Sequence, residues 1–119
     1  MKKLLFSLFI ALTAVAFVGA KDLSGVKIYI NPGHGGHDSD DRPMHIYPFA
    51  SGDPNSFWES NSNLDKGLRL DTMLRELGFQ TKLSRVTNTE EDDRSLSAIV
   101  AEADAWNSDF MLSIHSNAG

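Results

Sequence analysis

Val26-Lys27-Ile28-Tyr29-Ile30-Asn31-Pro32-Gly33-His34-Gly35-Gly36 is the stretch on which the fold turns. Val26, Ile28 and Ile30 recur at every second position, the period of a β-strand, and Asn31-Pro32-Gly33 ends the run in a turn. Working outward, Gly35 to Phe57 has no sustained period and is interrupted by Pro43, Pro48, Gly52 and Pro54, so it reads as a long loop of the kind that is often functional. Asn61 or Asn63 then caps a predicted helix whose Leu64, Leu68, Leu70, Met73, Leu74 and Leu77 form a wide apolar stripe, with Gly78 as its stop. Phe79-Gln80-Thr81-Lys82-Leu83 alternates as a second strand. Glu90, Glu91, Asp92 and Asp93 stand ahead of a helical period at Leu96, Ile99, Val100 and Ala103, where carboxylates favour a helix N-terminus; an acidic binding patch is the alternative. Phe110-Met111-Leu112-Ser113-Ile114 is almost continuously apolar, which predicts a strand covered on both faces. The order β, loop, α, β, α, β predicts an α/β fold with a mostly parallel or mixed sheet flanked by helices, the parallel strands joined by helical crossovers.

Upstream, Met1-Lys2-Lys3 is a basic head, Leu4 to Val18 is apolar without a charge, and Val18-Gly19-Ala20 offers small residues before Lys21. That order reads as a cleavable secretory signal over residues 1–20, because about 15 apolar residues fall short of the roughly 20 that span a bilayer. No Cys follows the run, so a lipid-anchored form is excluded and no stable membrane anchor is expected after cleavage. Residues 21–119 would act outside the cytoplasm, in the periplasm or secreted. The chain has 119 residues, 11 Lys+Arg against 16 Asp+Glu and a net charge of −5, which becomes −7 once Lys2 and Lys3 are removed. With 41% hydrophobic residues it is not a disordered composition, and its length supports one small domain. The absence of cysteine excludes a disulfide scaffold or a Cys-based zinc finger, and the acidic balance argues against a nucleic-acid partner.

The chemistry gathers at strand ends. His34 follows the first predicted strand and His115 closes the last; if the strands are parallel, both imidazoles emerge at the carboxyl edge of the sheet, where open α/β folds place ligands. Glu59 precedes the first helix and can reach the same edge. Two imidazoles and one carboxylate suit Zn²⁺ with a fourth position left open for water, the mark of a catalytic site. The glycines around His34 let the chain turn sharply and leave room for substrate. Other readings stand beside this one: a satisfied loop histidine for His34 or His115, a helix-terminal carboxylate for Glu59, and His37 or His45 as further ligands. Asp38, Asp40 and Asp41 lack the spacing of a calcium loop. The glycine-rich turn has neither Gly-Lys-Ser/Thr nor G-x-G-x-x-G, so it is no phosphate cradle.

Taken together, Ile30-Asn31-Pro32-Gly33-His34-Gly35-Gly36, Glu59 with Asn63, Leu83-Ser84-Arg85 and Ser113-Ile114-His115-Ser116-Asn117 resemble the zinc-dependent N-acetylmuramoyl-L-alanine amidases of bacterial cell-wall turnover (amidase type 3). The resemblance spans most of Val26 to Ala118. It implies Zn²⁺ held by His34, Glu59 and His115, and hydrolysis of the amide joining N-acetylmuramic acid to the L-alanine of the peptidoglycan stem peptide. Peptidoglycan or a soluble muropeptide is then the partner. A non-catalytic zinc or muropeptide-binding module and a related zinc peptidase are the competing classes.

Three departures accompany the resemblance. Asn31 stands where the family more often has Asp, which implies altered support of a ligand. The interval between His34 and Glu59 is longer than usual, which implies a differently shaped groove or a cover over the metal. The family's catalytic Glu, which lies downstream of the third ligand, has no match before Gly119, so no general base is assigned and the fold is expected to be truncated after its third strand. General-base assistance is worth roughly 10²- to 10⁴-fold, so the 119-residue chain is expected to be severely impaired.

Overall fold

The computed structural model describes residues 22–37, 41, 43–44, 48, 53 and 57–116. The leader expected at residues 1–20, and His45, Asp38 and Asp40, lie outside them. In chain order the elements are β1 (Lys27–Pro32), β2 (Pro43–Met44), β3 (Phe57–Trp58), α1 (Glu59–Glu76), β4 (Gln80–Leu83), a 3₁₀ turn at Glu90–Asp92, α2 (Leu96–Ala105) and β5 (Phe110–Ile114). No described helix is long and apolar enough to cross a membrane.

β1 lies at the centre of a three-stranded sheet of order β4-β1-β5 and pairs in parallel on both sides. Its alternation sends Tyr29 to one face, where it packs with Ile99, Ala103 and the half-buried Trp106. Ile28, Ile30 and Pro32 point to the other face, where Pro32 lies against Gly67 of α1. The register sets Pro32 opposite Ile114, and the Gly33 amide donates to the Ile114 carbonyl at 2.9 Å, so the chain leaves β1 and β5 at the same level. The expected α/β architecture is therefore present, with every pairing of this sheet parallel. Inside the interval read as loop, β2 and β3 form a small antiparallel ribbon, Pro43 opposite Trp58. Two-residue strands are too short to carry a legible period.

Both helices begin differently from their sequence signals. α1 starts at Glu59, ahead of Asn61 and Asn63, and Trp58 gives it no side-chain cap. The cap comes instead from Asp41, whose carboxylate accepts the Ser60 amide at 2.9 Å and the Ser60 hydroxyl at 2.6 Å across 19 residues of sequence. A buried carboxylate here satisfies a free helix N–H and faces the positive end of the helix dipole. The buried residues of α1 are Glu59, Ser60, Ser62, Asn63 and Gly67, whereas Leu68, Met73 and Leu77 of the predicted stripe are exposed. The first turns of α1 are occupied by polar hydrogen bonding rather than by apolar packing. Gly78 ends the helix as expected, in a left-handed conformation at φ +96°. The acidic run does not open α2: Glu90–Asp92 form their own 3₁₀ turn, in which the Asp92 carboxylate accepts the Thr89 amide at 2.9 Å. Ser95 caps α2, its hydroxyl accepting from the Ala98 amide at 3.3 Å.

β5 departs from the double cover expected of it. Among the described residues it forms one edge of the sheet, and Phe110, Met111 and Leu112 are exposed, Phe110 to 61%. An apolar run encodes a preference for cover, and no described element supplies it on that edge.

Glu102 of α2 ties the other face together. Its carboxylate meets Lys82 Nζ at 2.8 Å and Arg94 Nη1 at 2.5 Å, and accepts from the Tyr29 hydroxyl at 3.0 Å. The Lys82 contact, with Arg94 and Tyr29 behind it, outweighs burial and holds the Glu102 carboxyl down at about 2 against an ordinary 4.5. A depressed folded-state pKa stabilises the fold fully above the unfolded value, and that contribution fades as pH falls from 4.5 toward 2. Allowing for solvent screening, Glu102→Gln is expected to cost about 1–2 kcal/mol at pH 7. Urea midpoints of both proteins between pH 7 and pH 2 check this: the gap should close on acidification, and a gap independent of pH would refute the linkage.

Candidate metal centre

The parallel register of β1 and β5 brings His34 and His115 to one edge, because His34 lies two residues beyond Pro32 and His115 one beyond Ile114. His34 adopts a left-handed backbone at φ +62°, uncommon for a side-chain-bearing residue and sustained only when the surroundings over-determine it. Glu59, the first residue of α1, enters between the rings. Its Oε1 lies 3.5 Å from His34 Nε2 and 3.3 Å from His115 Nδ1, and the two rings meet edge to face at 5.1 Å. One ligand atom from each residue falls within 4.8 Å of the others, a group that can hold a metal ion.

The chain closes around these groups. The buried Glu59 accepts the Ser116 amide at 2.8 Å and the Asn63 side-chain amide at 3.4 Å. Burial pushes the Glu59 carboxyl up, but the Ser116 and Asn63 hydrogen bonds and the two histidines outweigh it, leaving the carboxyl below its ordinary value. Glu59 is therefore a carboxylate at neutral pH. Asn63 Nδ2 also donates to the Gly33 carbonyl at 3.2 Å, and the Ser116 hydroxyl donates to Asn63 Oδ1 at 3.2 Å. Asn63 and Ser116 appear in the sequence only as neighbours of the histidine and glutamate motifs; their i+4 and i+1 spacing from Glu59 and His115 is the signal that marks them.

Several expectations about nearby residues change. The glycines of the turn leave less open space than their composition suggests. A Cβ on Gly33 would overlap the His115 ring, and one on Gly36 would stand 2.7 Å from the Glu90 amide nitrogen. These glycines admit the protein's own segments. Asn31 joins strands rather than supporting a ligand: its side chain donates to Ser113 Oγ at 3.1 Å and accepts from Ser84 Oγ at 2.8 Å. His37 is no member of the cluster; its ring stacks on Trp58 at 4.3 Å and its Nε2 pairs with Asn61 Oδ1 at 2.8 Å. A cleft of about 360 Å³ opens beside His34 and His115, walled by Arg94, Ser95, Leu96 and Ile99.

The spacing suits a small dication. Zinc bonds nitrogen and oxygen ligands at about 2.0–2.2 Å, so two ligands in a tetrahedral shell stand about 3.3–3.6 Å apart. The two separations from Glu59 Oε1 match that edge, and the three ligand atoms all lie within 4.8 Å of one another. Two imidazoles and a carboxylate are also the donor set of open, catalytic zinc sites.

Comparison with known proteins gives the family. Residues 28–119 match the family described as N-acetylmuramoyl-L-alanine amidase. The chain is 33% identical over 94 residues to the N-acetylmuramoyl-L-alanine amidase CwlM of Bacillus licheniformis, and 38% identical over 96 residues to the sporulation-specific N-acetylmuramoyl-L-alanine amidase of Bacillus subtilis (strain 168). Each match takes in 79% of this chain and 32% of the relative, so the chain spans about a third of the length of these curated relatives. Among solved structures, the amidase AmiC2 of Nostoc punctiforme superposes with a TM-score of 0.59 at 27% identity, over 77% of this chain and 44% of that one. With a matching family over most of its length and the fold to go with it, the chain belongs to the N-acetylmuramoyl-L-alanine amidase family.

Proposed function

We propose that residues 21–119 are the N-terminal, zinc-binding part of a peptidoglycan amidase catalytic domain, carried out of the cytoplasm by a leader at residues 1–20. The substrate is the amide between the lactyl group of N-acetylmuramic acid and L-alanine, in peptidoglycan or a soluble muropeptide. Water adds across that bond, leaving a carboxylate on the sugar side and a free amine on the alanine. The observation that carries this reading is the convergence of His34, Glu59 and His115, with Glu59 Oε1 at a tetrahedral-edge distance from a nitrogen of each histidine and the three ligand atoms within 4.8 Å of one another.

Within this reading His34, Glu59 and His115 hold Zn²⁺, which supplies Lewis acidity toward the scissile carbonyl. Glu59 contributes a charge kept on by the Ser116 amide and the Asn63 side chain. The cleft beside the two histidines seats the bond to be cut, with the start of α2 as its far wall.

The test pairs zinc stoichiometry with mass spectrometry of muropeptides incubated with the zinc-loaded chain. One zinc per chain together with slow release of alanine-terminated stem peptide supports the reading. Zinc without any release over days points to a binding module. Cleavage of free stem peptides, with the muramyl amide left intact, points to a peptidase.

A further inference from the structure

Arg85 is buried, to 4% exposure, at the end of β4, in a position where a long cation costs free energy to desolvate. The hydrogen bonds that hold it do not end on carboxylates. Its five N–H groups instead all find neutral acceptors: Nε on the Pro32 carbonyl at 2.9 Å, Nη1 on the Thr87 carbonyl at 2.9 Å and Asn88 Oδ1 at 3.0 Å, and Nη2 on the Gly33 carbonyl at 3.0 Å and the Ser60 carbonyl at 2.8 Å. Burial draws the guanidinium below its ordinary pKa, while the charges of Asp92, Asp41 and Asp93 push it back up. Five satisfied donors on one rigid plane make a geometric clamp, which the point charge of lysine cannot reproduce.

The acceptors are the meaningful part. Pro32 and Gly33 immediately precede His34, and Ser60 immediately follows Glu59. Gly33 also lies against the His115 ring, and its carbonyl receives Asn63, which in turn bonds Glu59. One side chain thus bridges the segments that present His34 and Glu59, and the Gly33 it holds lies against the ring of the third member, His115. We propose that Arg85 is a positioning residue of the metal centre, fixing the gap between the His34 turn and the start of α1 so that the three ligand atoms stand at metal-binding separations. This rests on the metal-site reading above.

The experiment measures zinc affinity by chelator competition, and the visible absorption of the Co²⁺-loaded chain, for wild type, Arg85→Lys, Asn88→Ala and Glu102→Gln. Loss of a residue that supports metal ligands typically costs about 10- to 100-fold in affinity. Arg85→Lys should fall in that range and show weakened, shifted Co²⁺ bands, because the ligand geometry has changed. Asn88→Ala keeps the arginine but removes one of its acceptors, together with the Asn88 bonds to the Gly36 amide and Ser60 Oγ; it should lose a few-fold and tests the Arg85–Asn88 clamp as a unit if circular dichroism shows Arg85→Lys unfolded. Glu102→Gln, destabilised but remote from the cluster, should match wild type in both readouts. Wild-type affinity and an unchanged Co²⁺ spectrum in the folded Arg85 and Asn88 variants would overturn the positioning role and leave the metal site standing. Equal losses in Glu102→Gln would overturn it too, by tracing the effect to stability. A wild-type chain that takes up neither metal would overturn the metal-site reading and this inference with it.

Discussion

His115→Ala is expected to lower the zinc affinity of the chain by about 10²- to 10³-fold while leaving its fold in place. Structural zinc sites with four protein ligands contribute apparent binding energies of about 10–16 kcal/mol, so each ligand carries roughly 2.5–4 kcal/mol. The substitution removes one of the three donors proposed among the described residues. It removes little packing, since the His115 side chain is 38% exposed and projects beyond the end of β5. The informative comparison is His37→Ala. His37 lies three residues from His34, yet its ring is stacked on Trp58, so that variant should retain zinc. Chelator competition on both proteins, with circular dichroism as the check on folding, gives the answer. Equal zinc affinity in the two variants would refute the ligand assignment.

Gly33→Ala is expected to be nearly as damaging to the metal centre, although it adds a single methyl group to a residue with no metal-binding atom. The backbone of Gly33 is not in the left-handed region, so alanine is conformationally acceptable there. Space is the obstacle. The new Cβ would overlap Cε1 and Nε2 of His115 and stand 2.6 Å from Nδ1, the atom that now faces Glu59. Gly33 cannot retreat readily, because its amide donates to Ile114 and its carbonyl accepts from Arg85 and Asn63. The imidazole must therefore swing away from Glu59. Overpacking of this kind costs about 1–3 kcal/mol in stability, and losing the correct placement of one ligand should cost about 10²-fold in zinc affinity. Urea unfolding beside zinc competition separates the two effects; wild-type zinc affinity in Gly33→Ala would show that the ring has a second productive position.

Much of the architecture was legible in short stretches of sequence. The alternation of Val26, Ile28 and Ile30, the helical spacing that ends at Gly78, and the apolar run at Phe110–Ile114 each report hydrogen-bonding patterns formed between near neighbours. The polar face of α1 misled in the same way that it informed. Leu68, Met73 and Leu77 look like a core stripe, but the residues actually buried at the helix start are Glu59, Ser60 and Asn63, drawn in by partners that arrive from elsewhere in the chain. The acidic run before α2 looked like a helix terminus because charge alone does not distinguish a 3₁₀ turn from the first turn of an α-helix.

The sequence by itself determined the order of the three main-sheet strands and the two helices, because period and turn chemistry act over a few residues, and it singled out His34, Glu59 and His115 as chemically capable residues in an ordered set of motifs. Only the tertiary structure decided what those residues are held by. Asp41 caps α1 across 19 positions, Ser116 holds Glu59 across 57, and Arg85 reaches Pro32 across 53 and Ser60 across 25. Such partners carry no common period. They are selected by which backbone groups the parallel register and the packing of α1 leave unsatisfied at one edge of the sheet, and an unsatisfied group exists only once the chain has folded.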